Sequence, residues 1–310
     1  MTDELAADLR GAIRGDVCFD GGSRALYASD ASNYRQVPIG VVKPRDVDDV
    51  VATVTACRDH GAPVLSRGGG TSLAEQCCNV AVVLDFSRYM DRVVELDIGA
   101  RRARVQPGTV LDTLRDRAER HGLPFGPDPS THNRCTLGGM IGNNSCGVHS
   151  IMAGRTADNI EELEILTYDG HRMRVGATSE DELASIIAAG GRRGEIYAGL
   201  RRLRERYGDE VRRRFPKLPR RVSGYNLDEL LPENGFNVAR ALVGTEGTCV
   251  IVLEATARLV PSPPVRNLLV VGYPDVYDAA DAVPLVLEHG VIGLEGLDNQ
   301  LVSDIRAKGL

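Results

Sequence analysis

Apolar residues recur at strand-like and helix-like spacings through most of the chain. Residues 2–14 are predicted to form an amphipathic helix, which an irregular arm follows. The run IGVVKP, from Ile39, is typical of a strand. Residues 46–61 are typical of a helix that starts at an Asp46 cap and ends at Gly61, with an apolar face formed by Val47, Val50, Val51 and Val54. Two further strands are predicted, in VLSR before a run of glycines and in VAVVLDFS.

The same spacings predict regular elements further along the chain. DRVVELDIGARRARVQPG is typical of a hairpin, and a helix from Thr109 to His121, closed by Gly122, follows it. NIEELEILTYDGHRMRVG predicts a second hairpin, because an Asp-Gly turn at residues 169–170 separates two apolar runs. The remaining predicted elements are helices around Glu182–Ala189 and Glu195–Tyr207 and a long strand over Val250–Val260.

Two stretches depart from this regular pattern. Residues 126–154 have almost no apolar periodicity and are rich in glycine, asparagine, serine and proline. We interpret them as a long irregular segment, and such a segment inside a compact domain usually carries functional residues. PSPP, at Pro261–Pro264, predicts a linker. The residues after it contain a strand-like run and a helix but are too short to own a core, so we expect a second domain that begins here and is cut off.

Composition favours a soluble, cytoplasmic protein without a metal site. The net charge of −6 does not favour a nucleic-acid partner for the chain as a whole. Seven cysteines, an odd number without CxxC spacing, indicate reduced thiols. The N-terminus lacks the apolar region of a secretory signal, and no apolar run approaches the length of a membrane span.

A basic run from Arg201 to Arg221 interrupts this acidic background. Leu200, Leu203 and Tyr207 share one helical face, with arginines on the others. This arrangement favours a solvated helix and its exit loop over a binding surface for RNA or a partner, although the second interpretation stays open.

The stretch VLSRGGGTSLAEQ, residues 64–76, is the first candidate for chemistry. Glycines let consecutive backbone N–H groups approach a phosphate because no Cβ blocks the way. The nucleoside triphosphatase loop needs a lysine where Gly70 stands, and the dinucleotide fingerprint needs a third spaced glycine that opens a helix. The loop alone is therefore as consistent with a structural turn as with a phosphate site.

Two other loops of the same character change this assessment. PFGPDPSTHNRCTLGGMIGNNSCG supplies a dense set of glycines and polar donors, and GTEGT, at residues 244–248, supplies another. Three such loops could line one elongated ligand with a diphosphate in its middle.

At these residues the sequence resembles the flavin-binding domain of the vanillyl-alcohol oxidase and p-cresol methylhydroxylase (PCMH) superfamily. The matching pieces, in the family's order, are RGGGTSL, PDPST, LGGMIGNNSCG, SGYNLDELLPENGF and GTEGT. Within that superfamily the chain is similar to the D-lactate, glycolate and D-2-hydroxyglutarate dehydrogenase branch, above all to long bacterial members that append an iron–sulfur region.

The resemblance implies an α+β fold with a two-subdomain, PCMH-type FAD-binding domain over residues 38–261. An N-terminal helix and arm over residues 1–37 would precede it, and the truncated start of an α+β substrate, or cap, domain over residues 262–310 would follow. The residues it places at FAD are Ser66, Arg67, Gly68, Gly69, Gly70, Thr71, Ser72, Pro127, Asp128, Pro129, Ser130, Thr131, Gly138, Gly139, Asn143, Gly147, Glu246, Gly247 and Val252.

Non-covalent FAD is the cofactor that the resemblance implies. Relatives with a histidyl link carry a histidine within or just after the glycine loop, and this loop has none. His132 and His149 flank the flavin segment, where hydrogen-bonding roles are favoured over catalytic ones. Cys135 and Cys146 are interpreted as residues that fill tight space.

The implied reaction is oxidation of a D-2-hydroxy acid, in which a base takes the hydroxyl proton while hydride passes from Cα to flavin N5. Relatives carry the catalytic histidine-rich motif near the C-terminus, so we expect those residues beyond Leu310 and the chain to be incomplete for catalysis. Tyr225 and Arg35 are weaker candidates for the substrate pocket, and a structural role for each stays open.

The partners that follow are a small 2-hydroxy acid and an electron acceptor, which could be a quinone, an iron–sulfur region or a carrier protein. An iron–sulfur cluster is expected only in a missing downstream region, and peripheral membrane association through an electron-transfer partner stays open. The alternatives are another oxidase or reductase of the same superfamily and a non-catalytic FAD-binding fragment.

Overall fold

The computed structural model describes residues 2–309. Within them the strands are β1 (Asp16–Cys18), β2 (Gly40–Lys43), β3 (Val64–Arg67), β4 (Val82–Asp85), β5 (Val93–Asp97), β6 (Arg102–Val105), β7 (Ile160–Leu166), β8 (Arg172–Val175) and β9 (Ile251–Arg258). The helices are α1 (Thr2–Ala12), α2 (Gly21–Leu26), α3 (Val47–Asp59), α4 (Leu111–Glu119), α5 (Leu137–Asn143), α6 (Ser150–Ala153), α7 (Glu180–Ala189), α8 (Gly191–Arg214), α9 (Val238–Leu242), α10 (Val276–Leu287) and α11 (Asn299–Ala307).

The first sheet has the order β1-β2-β4-β3 and carries the glycine loop at the end of β3. β2 and β3 both run parallel to β4, and β1 is antiparallel to β2. The predicted strands and the predicted helix α3 are confirmed, and the Asp46 side chain accepts the Asp49 N–H at 3.1 Å as the cap of that helix. Helices α1 and α3 pack together, and their buried leucines and valines share one core with β2 and β4.

The second sheet has the order β5-β6-β9-β7-β8 and is antiparallel throughout. Both predicted hairpins are confirmed, and Gly170 has the positive φ of +89° that its turn requires. Most of the apolar face of this sheet packs against α4, α5 and α7 to α9. Leu166, Ile251 and Leu253 instead belong to the core of the first sheet, so the two sheets form adjoining parts of one body.

The prediction that residues 126–154 are irregular throughout is wrong. They contain α5 and α6, and Leu137, Met140 and Ile141 are buried at helical spacing. Thr136 begins α5 by accepting the Gly139 N–H at 3.3 Å, and Asn144 ends it in the left-handed conformation at φ +54°. Glycines at three of the seven positions of α5 hid this short apolar face in the sequence.

The basic helix α8 is longer than predicted, and a different set of residues makes its buried face. Tyr197 and Val211 are buried, whereas Leu203 and Tyr207 are 41% and 38% exposed. Several arginines pair with carboxylates of neighbouring segments, including Arg212 with Glu233 at 2.7 Å and Arg204 with Glu180. These pairs are typical of a solvated helix.

Residues 261–309 contribute no fully buried residue. The predicted strand after the proline-rich linker is wrong, because residues 265–272 pair with no other strand among the described residues. Leu268 to Val271 lie more than half exposed. A strand needs a partner for its N–H and C=O groups, and none faces this run.

Candidate functional site

The glycine loop follows directly on β3 and is held by close contact with residues 134–136. A Cβ at Gly68 would lie 2.0 Å from Thr136 Oγ1, and one at Gly69 would lie 2.2 Å from the Arg134 carbonyl oxygen. Gly70 has a φ of +63°, in the left-handed region that favours glycine. All three positions therefore require glycine, two for packing against the protein and one for backbone conformation.

The backbone N–H groups of this loop lack acceptors. None of the five consecutive N–H groups from Gly68 to Ser72 donates a hydrogen bond to any group within residues 2–309. Backbone donors in folded proteins are nearly always paired with protein, water or ligand. Five adjacent free donors next to a strand end can bind an anion such as a diphosphate.

The Arg67 side chain turns away from these donors and toward the N-terminal arm. Its guanidinium donates to the carbonyls of Tyr27 at 3.1 Å, Ser29 at 2.8 Å and Cys77 at 2.8 Å. It also lies over the Tyr27 ring, 5.2 Å from the centroid. Since these contacts engage the charge of Arg67 within the protein, a phosphate contact by this residue would come from its backbone.

The arm closes over the glycine loop through further hydrogen bonds. The Ala31 N–H donates to the Gly70 carbonyl at 3.0 Å, and the Cys77 N–H donates to Asp30 Oδ2 at 3.3 Å. The Tyr27 hydroxyl donates to Asp85 Oδ2 at 2.5 Å, and burial together with this carboxylate raises the pKa of Tyr27 well above its ordinary range. The arm thus contacts the segment that carries the glycine loop at Gly70 and Cys77, in addition to the contacts that Gly68 and Gly69 make with residues 134–136.

The PDPST segment, residues 127–131, leads into the turn that supports the glycine loop. The N–H groups of Asp128, Ser130 and Thr131 have no acceptor within residues 2–309. The Thr131 carbonyl accepts the N–H groups of Arg134 and Cys135, both at 2.8 Å, which closes the turn. The predicted cofactor residues of this segment therefore adjoin those of the glycine loop.

Helix α5 uses its glycines for contact with the protein. A Cβ at Gly138 would lie 2.7 Å from Pro107 Cβ, and the Gly138 N–H donates to the Pro107 carbonyl at 2.8 Å. The Gly139 N–H is used by the Thr136 cap. Asn143 is exposed, and its Oδ1 accepts the Ser145 hydroxyl at 2.6 Å. The N–H groups of Gly138 and Gly139 are therefore both used within the protein.

Gly147 brings the next loop onto the PDPST segment. A Cβ there would lie 2.2 Å from the Asp128 carbonyl oxygen, so the two backbones touch. The Asp128 carboxylate lies 2.5 Å from His149 Nδ1 and accepts the His149 N–H at 3.1 Å. Nearby, Arg220 Nη2 lies 3.2 Å from Cys146 Sγ.

The GTEGT loop is the third part of the site and is joined to α5. The Gly244 N–H donates to the Ile141 carbonyl at 2.8 Å, and the Glu246 N–H donates to the Gly142 carbonyl at 2.9 Å. Both Glu246 and Gly247 have positive φ, +52° and +70°. The Tyr225 hydroxyl lies 2.7 Å from Thr248 Oγ1, which places Tyr225 beside this loop.

Three other predicted or flanking residues lie apart from the loop contacts. Val252 is in β9, where it pairs with Ile165. Arg35 is exposed on the arm and makes no side-chain hydrogen bond or ion pair within residues 2–309. His132 pairs with Asp112 of α4, its Nδ1 2.8 Å from Oδ2, in the hydrogen-bonding role that was predicted for it.

A group of partly buried charges ties the end of α6 to the segment that carries Tyr225. The Arg155 guanidinium donates to both oxygens of Asp158, at 2.9 and 3.0 Å, and to the Arg221 carbonyl at 2.7 Å. Burial alone would raise the pKa of Asp158, but the hydrogen bonds from Arg155 hold it below its usual value. Burial raises the pKa of the nearby Glu229 carboxyl.

Sequence reasoning missed two contributors to this site. Asn144 is fully buried in the left-handed conformation, and its Oδ1 accepts the Ala157 N–H at 3.0 Å while Nδ2 has no partner within residues 2–309. Residues 27–31 of the arm were interpreted only as irregular chain. An asparagine directly after a short glycine-rich helix is a signal for a left-handed helix end. Nothing in the sequence of residues 27–31 indicated that the arm contacts the glycine loop.

Between residues 2 and 309, no group of three or more His, Cys, Asp or Glu side chains is placed to hold a metal ion. The same part of the chain contains no helix that is both long and apolar enough to cross a membrane. The three loops offer backbone donors and close backbone surfaces, which fit an extended ligand with a diphosphate.

Comparison with known proteins finds a family match that includes the glycine loop, the PDPST segment and α5. The FAD binding domain family matches residues 38–176. The chain is 34% identical to D-2-hydroxyglutarate dehydrogenase of Pseudomonas putida over 94% of its own length and 29% of that protein's length. It is 31% identical to glycolate oxidase subunit GlcD of Bacillus subtilis, with 89% of this chain and 49% of that protein covered.

Solved structures support the fold. An alkyldihydroxyacetonephosphate synthase has a TM-score of 0.64 at 17% identity and covers 93% of this chain and 50% of its own. A 6-hydroxy-D-nicotine oxidase from Arthrobacter nicotinovorans has a TM-score of 0.54 at 18% identity, with 80% and 43% covered. The fold is therefore the predicted α+β, two-subdomain fold of PCMH-type flavin-binding domains, and the chain spans only 29% of the length of the first of these relatives.

Proposed function

We propose that this chain, whose residues 38–176 match the FAD binding domain family, binds FAD non-covalently as the flavin module of a D-2-hydroxy acid dehydrogenase. The observation that carries the proposal is the row of five N–H groups from Gly68 to Ser72 that lack acceptors within residues 2–309. A dianionic diphosphate needs many donors, and backbone N–H groups provide them without a cluster of cations.

The contacts among the three loops support the following proposal for the binding residues. We assign the diphosphate to the backbone of Ser66 to Ser72 and the flavin and its ribityl chain to Pro127 to Thr131. Gly138, Gly139, Asn143 and Gly147 would form the surface against which the cofactor packs, and Glu246, Gly247 and Val252 would lie near its adenosine end. The module would span residues 38–261, with residues 1–37 as arm and residues 262–310 as the start of a cap domain.

FAD, when bound, supplies the acceptor for two electrons from the substrate. The protein's part is to orient the cofactor and to exclude water from it. The arm and residues 134–136 both contact the segment that carries the glycine loop, which holds its donors in place before the ligand arrives. Arg35 is a candidate for the substrate pocket, because its guanidinium has no partner within residues 2–309. Tyr225 is a second candidate from the sequence, but its contact with Thr248 places it beside the loop assigned to the adenosine end, which favours a structural role.

The substrate class rests on the relatives. Their names give D-2-hydroxyglutarate and glycolate as what those proteins act on. We propose a substrate of this D-2-hydroxy acid class for the enzyme to which this chain contributes its flavin site, with the remaining catalytic groups beyond Leu310. The electron acceptor would be a quinone, an iron–sulfur region or a carrier protein, and the site of action would be the cytoplasm, with peripheral membrane contact only through that acceptor.

Anaerobic mixing of the FAD-loaded chain with D-2-hydroxyglutarate, D-lactate or glycolate tests this proposal. We expect flavin to be bound but its absorbance to bleach far more slowly than ordinary enzyme turnover, on the order of 10 per second. Full-speed bleaching by one of these acids would refute the module view. Bleaching only by an unrelated alcohol would favour another oxidase or reductase of the superfamily. The chain can also be fused to the catalytic residues of a longer relative. If no donor bleaches the flavin of that fusion, a non-catalytic FAD-binding fragment is favoured.

A further inference from the structure

The glycine loop offers an anion its backbone donors but no free side-chain charge of its own. The N–H groups from Gly68 to Ser72, which lack acceptors within residues 2–309, are all neutral. The guanidinium of Arg67 is engaged by the carbonyls of Tyr27, Ser29 and Cys77. A full positive charge for a dianionic diphosphate at these donors would therefore come from a neighbouring segment.

Arg134 lies on the turn that contacts the loop, and its exposed side chain has no hydrogen bond, ion pair or ring contact within residues 2–309. Its backbone is fixed, because its N–H donates to the Thr131 carbonyl at 2.8 Å and its carbonyl oxygen would lie 2.2 Å from a Cβ at Gly69. Adding the covalent bonds on either side of this contact places the two Cα atoms within roughly 6 Å of each other. An extended arginine side chain spans such a distance, so the guanidinium can reach the donors of the loop.

Two arginines of the arm and the three loops have a guanidinium without a partner within residues 2–309, Arg35 and Arg134. Arg35 lies on the arm, where its backbone forms a bridge with Ser29. The nearby carboxylates of Asp30 and Asp128 accept hydrogen bonds from other groups of the protein. Arg134 is therefore the free cation whose own backbone touches the glycine loop.

We propose that Arg134 binds the diphosphate of FAD and supplies the positive charge of an anion site whose other donors are the N–H groups from Gly68 to Ser72. This inference rests on the proposed FAD site and assigns it a residue that neither the sequence motifs nor the loop contacts had included. A guanidinium can donate two parallel hydrogen bonds to a phosphate group. Because the Arg134 side chain has no partner in the protein, no internal ion pair has to break when it turns to the phosphate.

Equilibrium titration of FAD into the full chain, followed by the change in flavin fluorescence, tests the inference. Arg134→Gln removes the charge, keeps a polar side chain and leaves the backbone contact with Gly69 in place. We expect its dissociation constant for FAD to rise about tenfold, which corresponds to the loss of a hydrogen bond between charged groups. Arg134→Lys keeps the charge without the fork of donors and should lie within about threefold of the wild-type affinity.

Arg202→Gln is the matched control, because Arg202 is also exposed and has no hydrogen bond or ion pair within residues 2–309, but lies on α8, which packs on α7 and on residues 227–230. It should keep the wild-type affinity. A circular-dichroism melt of each variant verifies that it is folded.

Two further measurements separate a charge contact from a structural effect. Raising the concentration of potassium chloride from about 50 mM to about 500 mM should weaken FAD binding more in the wild-type chain than in Arg134→Gln, because salt screens the charge that the variant lacks. Calorimetric titration with inorganic pyrophosphate, a probe without flavin, should detect binding to the wild-type chain and binding about fivefold weaker or more to Arg134→Gln.

The outcomes distinguish this inference from the proposed function. A wild-type chain that binds neither FAD nor pyrophosphate refutes both. A chain that binds pyrophosphate through Arg134 but binds no FAD refutes the proposed function and supports the anion site. A chain that binds FAD, with a folded Arg134→Gln variant of unchanged affinity and salt dependence, refutes the inference alone. A loss of affinity in Arg134→Gln that lysine does not recover would show that the substitution acts on the turn and not through the charge, which also refutes the inference.

Discussion

Packing within the protein accounts for glycine at two positions of the glycine loop. The sequence pattern indicated glycines that admit a phosphate, whereas the structure shows that Gly68 and Gly69 also leave room for Thr136 and Arg134. The sequence could not reveal this second demand, since the contacting residues lie more than 60 positions away along the chain. The same holds for Asp128 and His149, which no spacing rule connects.

Gly69→Ala tests the importance of this packing. The added Cβ would lie 2.2 Å from a backbone oxygen that cannot rotate away, so the loop must shift and its donors move with it. We expect about 1–3 kcal/mol of strain and a loss of FAD affinity of about tenfold or more. Gly11→Ala, in α1, where a Cβ meets nothing within 4 Å, is the control and should leave affinity unchanged. Equal affinities for the two variants in a fluorescence titration would contradict the account.

At the scale of elements, the conformation of the arm was the hardest to predict from its local sequence. Residues 27–31 have no regular structure of their own, yet they are fixed by Arg67, Gly70 and Cys77. Helix α5 has regular structure, but its glycines have low helix propensity and hid it in the sequence. The Thr136 cap and the burial of its apolar residues stabilise the helix in the fold. Elements with clean periodicity, such as α3 and the two hairpins, could be predicted.

Substitution of Arg67 distinguishes two roles for its guanidinium, which are holding the arm and contacting a phosphate. If the guanidinium holds the arm by its fork of donors, lysine cannot reproduce the three carbonyl contacts, and Arg67→Lys should behave much like Arg67→Met. We expect both to lower the free energy of unfolding by about 2–4 kcal/mol and to open the arm to limited proteolysis at residues 27–36. Near-complete rescue of FAD affinity by lysine would instead point to a direct charge contact with phosphate.

The link between α6 and the Tyr225 segment should depend on pH. The pKa of Asp158 is lower in the folded chain than its ordinary value, so its bond to Arg155 stabilises the fold above about pH 4 and is lost as the pH falls through the folded-state pKa. Asp158→Asn should therefore cost about 1–3 kcal/mol at pH 7 and progressively less at pH 4 and pH 3 in urea titrations. Asp209→Asn, at a fully exposed carboxylate, should leave the urea midpoint unchanged at each pH. A constant deficit for Asp158→Asn would show that the ion pair is not the cause.

At the scale of the whole molecule, two adjoining cores support one set of loops. The first sheet positions the glycine loop, and the core of the second sheet positions α5, to which the GTEGT loop is hydrogen-bonded. Residues 261–309 add no buried residue to either core. The predicted strand failed there because strand formation depends on a partner, which periodicity alone does not supply.

The central claim is that this chain binds FAD non-covalently, and one absorbance measurement tests it most directly. The purified chain is incubated with FAD, freed of excess cofactor by gel filtration, scanned, and then precipitated with acid. We expect about one flavin per chain before precipitation and all of the flavin in the supernatant afterwards. A chain that elutes without flavin, or a yellow pellet that retains it, would contradict the account.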